Sequence, residues 1–216
     1  MTPDLFGDTP GAFAPEPLAP GAVVLRGYAA GVAGALLAAI TEVAAGAPFR
    51  QMKTPGGYTM SVAMTGCGEV CWVTDQTGYR YQAGDPLSGQ PWPAMPEPFL
   101  RLAGEAAAAA GYRDFIPDAC LINRYCPGSR MSLHQDRDER DFDQPIVSVS
   151  LGLPATFQFG GETRRVRPVN VPLSHGDVVV WGGPARLRYH GVLRLKQGWH
   201  PLTGEYRYNL TFRRAL

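Results

Sequence analysis

The run Leu133-His134-Gln135-Asp136-Arg137-Asp138 sets an imidazole and two carboxylates two residues apart. In extended backbone successive side chains alternate faces, so His134, Asp136 and Asp138 would share one side. An imidazole nitrogen and a carboxylate oxygen held by one strand are two thirds of the two-histidine, one-carboxylate set that binds non-haem Fe(II) and leaves positions open for substrates. A solvated polar loop can carry the same pattern, so the motif needs partners. The third ligand has to come from His175, His190 or His200, and spacing alone does not choose among them. His175, in Ser-His-Gly-Asp, and His200, before Pro201, sit in turn sequences. His190 is preferred because it lies inside an extended run, residues 187–192, that could aim a side chain rigidly.

Two other runs carry polar groups on one face. In Leu121-Ile122-Asn123-Arg124-Tyr125, Asn123 and Tyr125 share a face, setting an amide beside a phenol. In Arg207-Tyr208-Asn209-Leu210-Thr211-Phe212-Arg213, Arg207, Asn209, Thr211 and Arg213 lie on one face, and Tyr208, Leu210 and Phe212 on the other. At a C-terminus such a face would ordinarily meet solvent. Lining a barrel interior, it could hold a dicarboxylate, because guanidinium pairs carboxylate bidentately.

These groups need a rigid frame, and the rest of the chain supplies one. Seven extended runs follow residue 118: 119–125, 145–153, 156–159, 166–173, 177–181, 187–193 and 206–213. Separated by Gly, Pro and Asn, they predict an antiparallel sandwich or jelly roll. Helices are predicted over 31–45, where Val32, Leu36, Ile40 and Val43 recur at helical spacing, and from Pro98 to Gly111. Both would flank one sheet. Between them, residues 49–93 are rich in glycine and aromatics, with Trp72–Thr74 and Tyr79–Tyr81 able to pair as strands. They read either as packing beneath loops or as a lid whose rings stack on a planar substrate. The prolines of residues 1–20 predict a flexible arm, leaving 21–216 as a single domain.

Composition narrows the classes. With 216 residues, 18% charged and a formal net charge of +1, the chain gives no global electrostatic case for a polyanion, so a nucleic-acid site has to be local. No apolar run approaches a membrane span and the N-terminus does not read as a signal peptide, which predicts a cytoplasmic protein. Cys67, Cys71, Cys120 and Cys126 are expected as free thiols.

Several long motifs, in order, resemble the AlkB family of Fe(II) and 2-oxoglutarate-dependent dioxygenases, most of all its bacterial members that reverse alkylation damage in DNA. They are Phe-Arg-Gln-Met-x-Thr-Pro-Gly-Gly-Tyr-Thr-Met-Ser at 49–61, Leu-Ile-Asn-Arg-Tyr at 121–125, Leu-His-Gln-Asp at 133–136 and Arg-Tyr-Asn-Leu-Thr-Phe-Arg at 207–213. The match is weakest in the N-terminal arm and in 164–172.

The resemblance implies an α+β, mainly β fold: a double-stranded β-helix (jelly roll, cupin-like) over 119–216, flanking helices, and a nucleotide-recognition lid over 49–93. It implies His134, Asp136 and His190 as iron ligands. Asn123, Arg124, Tyr125, Arg207, Asn209 and Arg213 fall in the runs that hold 2-oxoglutarate. Trp72, Tyr79, Arg80, Tyr81, Asp138 and Arg164 fall at substrate-contacting positions. The implied reaction uses Fe(II), 2-oxoglutarate and O2 to hydroxylate the alkyl group of 1-methyladenine or 3-methylcytosine, releasing formaldehyde, succinate and CO2. The expected partner is single-stranded DNA carrying alkylated bases, with duplex DNA or RNA as further possibilities, met by a monomer away from membranes.

Overall fold

The structure, a computed structural model, describes residues 14–216. The chain enters through an antiparallel pair, β1 (Glu16–Ala19) and β2 (Ala22–Leu25), then a 3-10 turn at Ala30–Val32 leading into α1 (Ala33–Gly46). Next come β3 (Ala63–Gly68), a hairpin of β4 (Cys71–Asp75) and β5 (Gly78–Gln82), and a second helix, α2 (Glu97–Ala109). The remaining strands are β6 (Ala119–Tyr125), β7 (Met131–His134), β8 (Ile146–Gly152), β9 (Ala155–Phe159), β10 (Val169–Leu173), β11 (Val178–Trp181), β12 (His190–Val192) and β13 (Arg207–Arg213).

Two antiparallel sheets form a jelly roll. The larger has the order β1-β2-β11-β8-β13-β6-β3, the smaller β10-β9-β12-β7, and the β4–β5 hairpin stands apart. The larger sheet is covered on both faces, which is why β8, Ile-Val-Ser-Val-Ser-Leu-Gly, is buried at every residue. Against one face pack Leu36, Ile40 and Val43 of α1 and Phe99, Leu102 and Ala106 of α2, meeting Val147, Val149, Leu210 and Phe212. On the other face, between the sheets, Leu121, Tyr125 and Ile146 meet Phe157, Phe159 and Trp181. The polar faces of β13 and β6 therefore look into the sandwich. In register, Arg207 is opposite Tyr125, Asn209 opposite Asn123, and Thr211 opposite Leu121.

The helices start and stop for local reasons. Pro98 occupies the first turn of α2, where its missing N–H costs no helical bond, and Gly111 follows at φ +91. The expected strands and helices are all present, β6 with the expected ends and the others with shifted ones. β12 is the most shortened, because the chain makes a 3-10 turn at Gly183–Ala185 and stays irregular up to Tyr189.

Two boundaries differ from expectation. Of the predicted arm, residues 1–13 lie outside the described residues, but Glu16–Ala19 form β1 at the sheet edge. An edge strand tolerates Pro17, since only one of its sides needs ladder bonds. The segment 49–93 is likewise not all lid: β3 pairs with β6 inside the larger sheet, and only β4–β5 and the adjoining loops stand out from it. No helix among the described residues is long and apolar enough to cross a membrane. All four cysteines are free; Cys67, Cys71 and Cys120 are buried and Cys126 is exposed.

Candidate active site

Strand pairing brings together the histidines that spacing left unassigned. β12 runs antiparallel to β7 with His190 directly opposite His134. The strands can approach because Gly191 follows: a Cβ there would lie 2.7 Å from the Met131 carbonyl oxygen. Asp136, just past the end of β7, swings its carboxylate beneath both rings, 3.6 Å from His134 Nε2 and 3.7 Å from His190 Nε2. The ligand atoms of these three residues lie within 4.8 Å of one another, the only such group among the described residues.

The tautomers suit a metal. His134 Nδ1 lies 2.9 Å from the Ser132 carbonyl and His190 Nδ1 3.0 Å from the Arg188 carbonyl. A carbonyl accepts only, so each Nδ1 carries the proton and each Nε2 turns a lone pair toward Asp136. Burial, and after it the charge of His134, pushes His190 down to about 4, so it is neutral and ready to coordinate at pH 7. Burial also works against an ionised Asp136, but Arg213, His190 and His134 together outweigh it and hold the carboxyl well below the usual range. Arg213 donates to Asp136 Oδ2 from Nε at 3.0 Å and from Nη2 at 2.7 Å.

The extended reading of 133–138 holds only to His134, where β7 ends. Asp138 leaves the metal group and accepts a 2.8 Å hydrogen bond from Trp72 Nε1 of the hairpin.

Inward from the metal group lies a narrow cavity lined by Asn123, Tyr125, Arg207, Asn209, Thr211 and Arg213, with Met131, Phe157 and Trp181 closing its apolar side. Arg207, 1% exposed, donates to Ser150 Oγ at 3.0 Å, and its guanidinium carbon stands 5.0 Å from the centre of the Tyr125 ring. Its Nε and Nη1 are fully buried and have no hydrogen-bond partner. A cation with two unused donors, facing a cavity, is costly unless an anion completes it. A small carboxylate fits that need, and 2-oxoglutarate brings one at each end. Asn209 donates to Ser148 Oγ and to the Val149 carbonyl, while its own carbonyl accepts from Asn123 and Thr211, so the floor is internally braced. Burial raises the Tyr125 and Tyr81 phenols, keeping both as donors.

Outward lies a cleft of about 820 Å³. Trp72, Tyr79, Asp138, Arg164 and His134 line it. Trp72 and Tyr79 stack at 5.6 Å and 17°, and Arg164 lies over Tyr189. Leu121, Met131, His134 and Arg213 border both spaces, so the ligand set sits at their junction.

Three of the expected contact residues stand elsewhere. Arg124 points to the opposite face of β6 from Asn123 and Tyr125, its guanidinium over Phe49 and Tyr206, as strand alternation requires. Arg80 points out of the hairpin to Asp75, Thr77 and Gln82. Tyr81 points inward, off the cleft wall, and donates to Glu139. Glu139, Arg186 and Ser148 are site residues that the sequence reading missed. Glu139 looks like one charge among many in Asp-Arg-Asp-Glu-Arg, and only the tertiary structure buries it.

The model of the 2OG-Fe(II) oxygenase superfamily matches residues 21–213. The chain belongs to this superfamily. The chain is 61% identical over 215 residues to the alpha-ketoglutarate-dependent dioxygenase AlkB of Salmonella typhimurium, covering 98% of this chain and 97% of that one. It is 34% identical over 125 residues to a human protein named nucleic acid dioxygenase ALKBH1, covering 57% of this chain and 32% of that protein. A solved structure titled "The structure of OsALKBH1" superposes with a TM-score of 0.80 at 29% identity, covering 93% of this chain and 99% of that one. The protein is thus a dioxygenase dependent on Fe(II) and 2-oxoglutarate (alpha-ketoglutarate), and the buried Arg207 donors and the two-histidine, one-carboxylate set suit that cofactor and co-substrate.

Proposed function

We propose that this dioxygenase is an oxidative demethylase of N-alkylated bases, 1-methyladenine and 3-methylcytosine, in DNA, acting as a monomer and best on single strands. The observation that carries the reading is the outer cleft, where a stacked Trp72–Tyr79 pair and the Asp138 carboxylate stand beside His134 at the mouth of the ligand set. N1-alkylated adenine and N3-alkylated cytosine are flat and cationic, and they have lost the edge that would pair them. They therefore leave the helix at small cost, stack on aromatic rings and gain from a nearby carboxylate.

His134, Asp136 and His190 would hold Fe(II), and Arg207, Arg213, Asn123, Asn209 and Tyr125 would hold 2-oxoglutarate. Bound there with O2, the metal and co-substrate supply the oxidising power that converts an N-methyl to an N-hydroxymethyl group, with 2-oxoglutarate leaving as succinate and CO2. The protein's part is positioning. Trp72 and His134 flank the base, Asp138 balances its charge, and Met131, which borders both the cleft and the inner cavity, keeps water from the reacting carbon. The hydroxymethyl carbon–nitrogen bond then breaks: the electron pair stays on nitrogen, the hydroxyl proton goes to solvent, and formaldehyde departs.

The test is a single-stranded oligonucleotide with one 1-methyladenine, given Fe(II), 2-oxoglutarate and O2. Formaldehyde and succinate are expected in equal amounts. No formaldehyde from fully loaded enzyme overturns the reading, and a methylated RNA outcompeting the DNA would move the substrate class.

A further inference from the structure

Glu139 sits in a closed arrangement of charges that the reaction described above does not use. Its side chain is 2% exposed. Oε1 accepts a 2.6 Å hydrogen bond from Tyr81 OH of β5 and lies 3.3 Å from Arg213 Nε, while Oε2 is 3.2 Å from Arg186 Nη2. Both arginines lead to Asp136. Arg213 grips its carboxylate, and Arg186 donates from Nη1 to its backbone carbonyl at 2.8 Å and from Nε to the Gln144 carbonyl at 3.1 Å. Neighbouring Asp138 holds the other hairpin strand through Trp72. Two successive acidic residues thus tie the two strands of the hairpin to the loop that follows the metal carboxylate, one at the surface and one fully enclosed.

We propose that Glu139 is a positioning residue that couples the β4–β5 hairpin to the metal site along the path Tyr81–Glu139–Arg213–Asp136. Two cations and two carboxylates meet in this buried cluster: Arg213 is shared between the carboxylates of Glu139 and Asp136, while Arg186 joins the Glu139 carboxylate to the Asp136 backbone carbonyl. A shift of Tyr81 when the hairpin closes on a ligand changes how much of Arg213 is left for Asp136, and so how strongly that carboxylate donates to a metal. Linkage makes the effect reciprocal: whatever the hairpin grips changes metal affinity, and metal changes the hairpin's grip by the same factor.

The experiment uses Co(II) bound anaerobically to the full chain, read by affinity and by its visible absorption, alongside thermal unfolding. Tyr81→Phe removes one hydroxyl and keeps the ring; Glu139, released from Tyr81, then draws more of Arg213 away from Asp136. Co(II) affinity should therefore rise about threefold and the absorption shift, an effect smaller than the ~10-fold typical of losing a group that contacts a ligand directly. The unfolding midpoint should fall by no more than the loss of one buried hydrogen bond gives. Glu139→Gln should weaken Co(II) about tenfold or more. If it does not fold, Tyr81→Phe alone decides. Wild-type affinity and absorption in Tyr81→Phe overturn the coupling.

A second arm rests on the demethylase reading. A methylated oligonucleotide should perturb the cobalt absorption in wild type and not in Tyr81→Phe, and with iron the variant should yield more succinate per formaldehyde. A wild-type enzyme that releases no formaldehyde fails the substrate reading, while the cobalt measurements still judge the coupling.

Discussion

Two pairs of histidines in this molecule have the same spacing. The ring centroids of His134 and His190 are 4.4 Å apart, and so are those of His175 and His200. They differ in what Nδ1 meets. In the first pair both Nδ1 atoms face carbonyls, so the protons sit there and both Nε2 lone pairs are free. In the second, His175 Nδ1 accepts from the Gly152 N–H at 3.0 Å and His200 Nδ1 from the Leu202 N–H at 3.3 Å. The neutral rings then carry their protons on Nε2, and binding a metal there would cost each ring its backbone bond. Closeness does not make a metal site; the group behind each ring does.

The largest effects should separate the two pairs. His190→Ala is expected to lower Fe(II) or Co(II) affinity by ~100-fold or more, at or beyond the upper range seen when ligand support is lost. His200→Ala should leave it within about twofold, since metal-site contributions of distant residues add independently. Calorimetric titration with Co(II) checks both, and a comparable loss in His200→Ala would break the comparison. A second contrast lies between the carboxylates. Asp136→Ala should abolish metal-dependent succinate formation, and it leaves buried Arg213 with Glu139 as its one carboxylate partner, at a stability cost below the about 3–5 kcal/mol of a fully unpaired buried charge. Asp138→Ala should leave succinate formation largely in place and reduce preference for a cationic base over a neutral one by roughly fivefold, or ~1 kcal/mol of charge attraction. Succinate and formaldehyde measured with both base types decide; equal metal loss in the two variants would remove Asp138 from the substrate side.

Much of this was legible in the residues themselves. Alternation along Arg207–Arg213 gave the inward polar face, and the same rule applied to Asn123 and Tyr125 already turned Arg124 away from them. β6 has the predicted ends because its extended run stops at the turn sequence Cys126-Pro127-Gly128. β3 was not separable from the lid, since Ala-Met-Thr-Gly-Cys-Gly has two glycines and is buried almost throughout, so no alternation marks it. The third ligand was undecidable from spacing because β12 meets β7 through a tertiary pairing. Glu139 carried no local signal: its enclosure comes from Tyr81, Arg186 and Arg213, three residues far apart in the chain.

The smallest expected effect concerns the second pair alone. Burial, and then the charge of His200, lowers the pKa of His175 below its ordinary value. As pH falls past about 6.5, the unfolded chain takes up this proton before the folded one does. The neutral ring's contribution is therefore intact above that pH and is lost as pH drops through the folded value. Protonation also fills Nδ1 and removes the acceptor of the Gly152 N–H, at the point where β8 faces Arg207. Glutamine can accept the same N–H without titrating. His175→Gln should therefore stay within about 1 kcal/mol of wild type at pH 7.5, the worth of one hydrogen bond. It should also lose less stability than wild type between pH 7 and 5, with Co(II) affinity unchanged. Denaturant unfolding of both metal-free proteins across that range reads the difference. Equal slopes would mean that the pair is held by packing and not by its neutral tautomers, while a loss of cobalt binding would show that the two pairs are not as distinct as their Nδ1 partners make them.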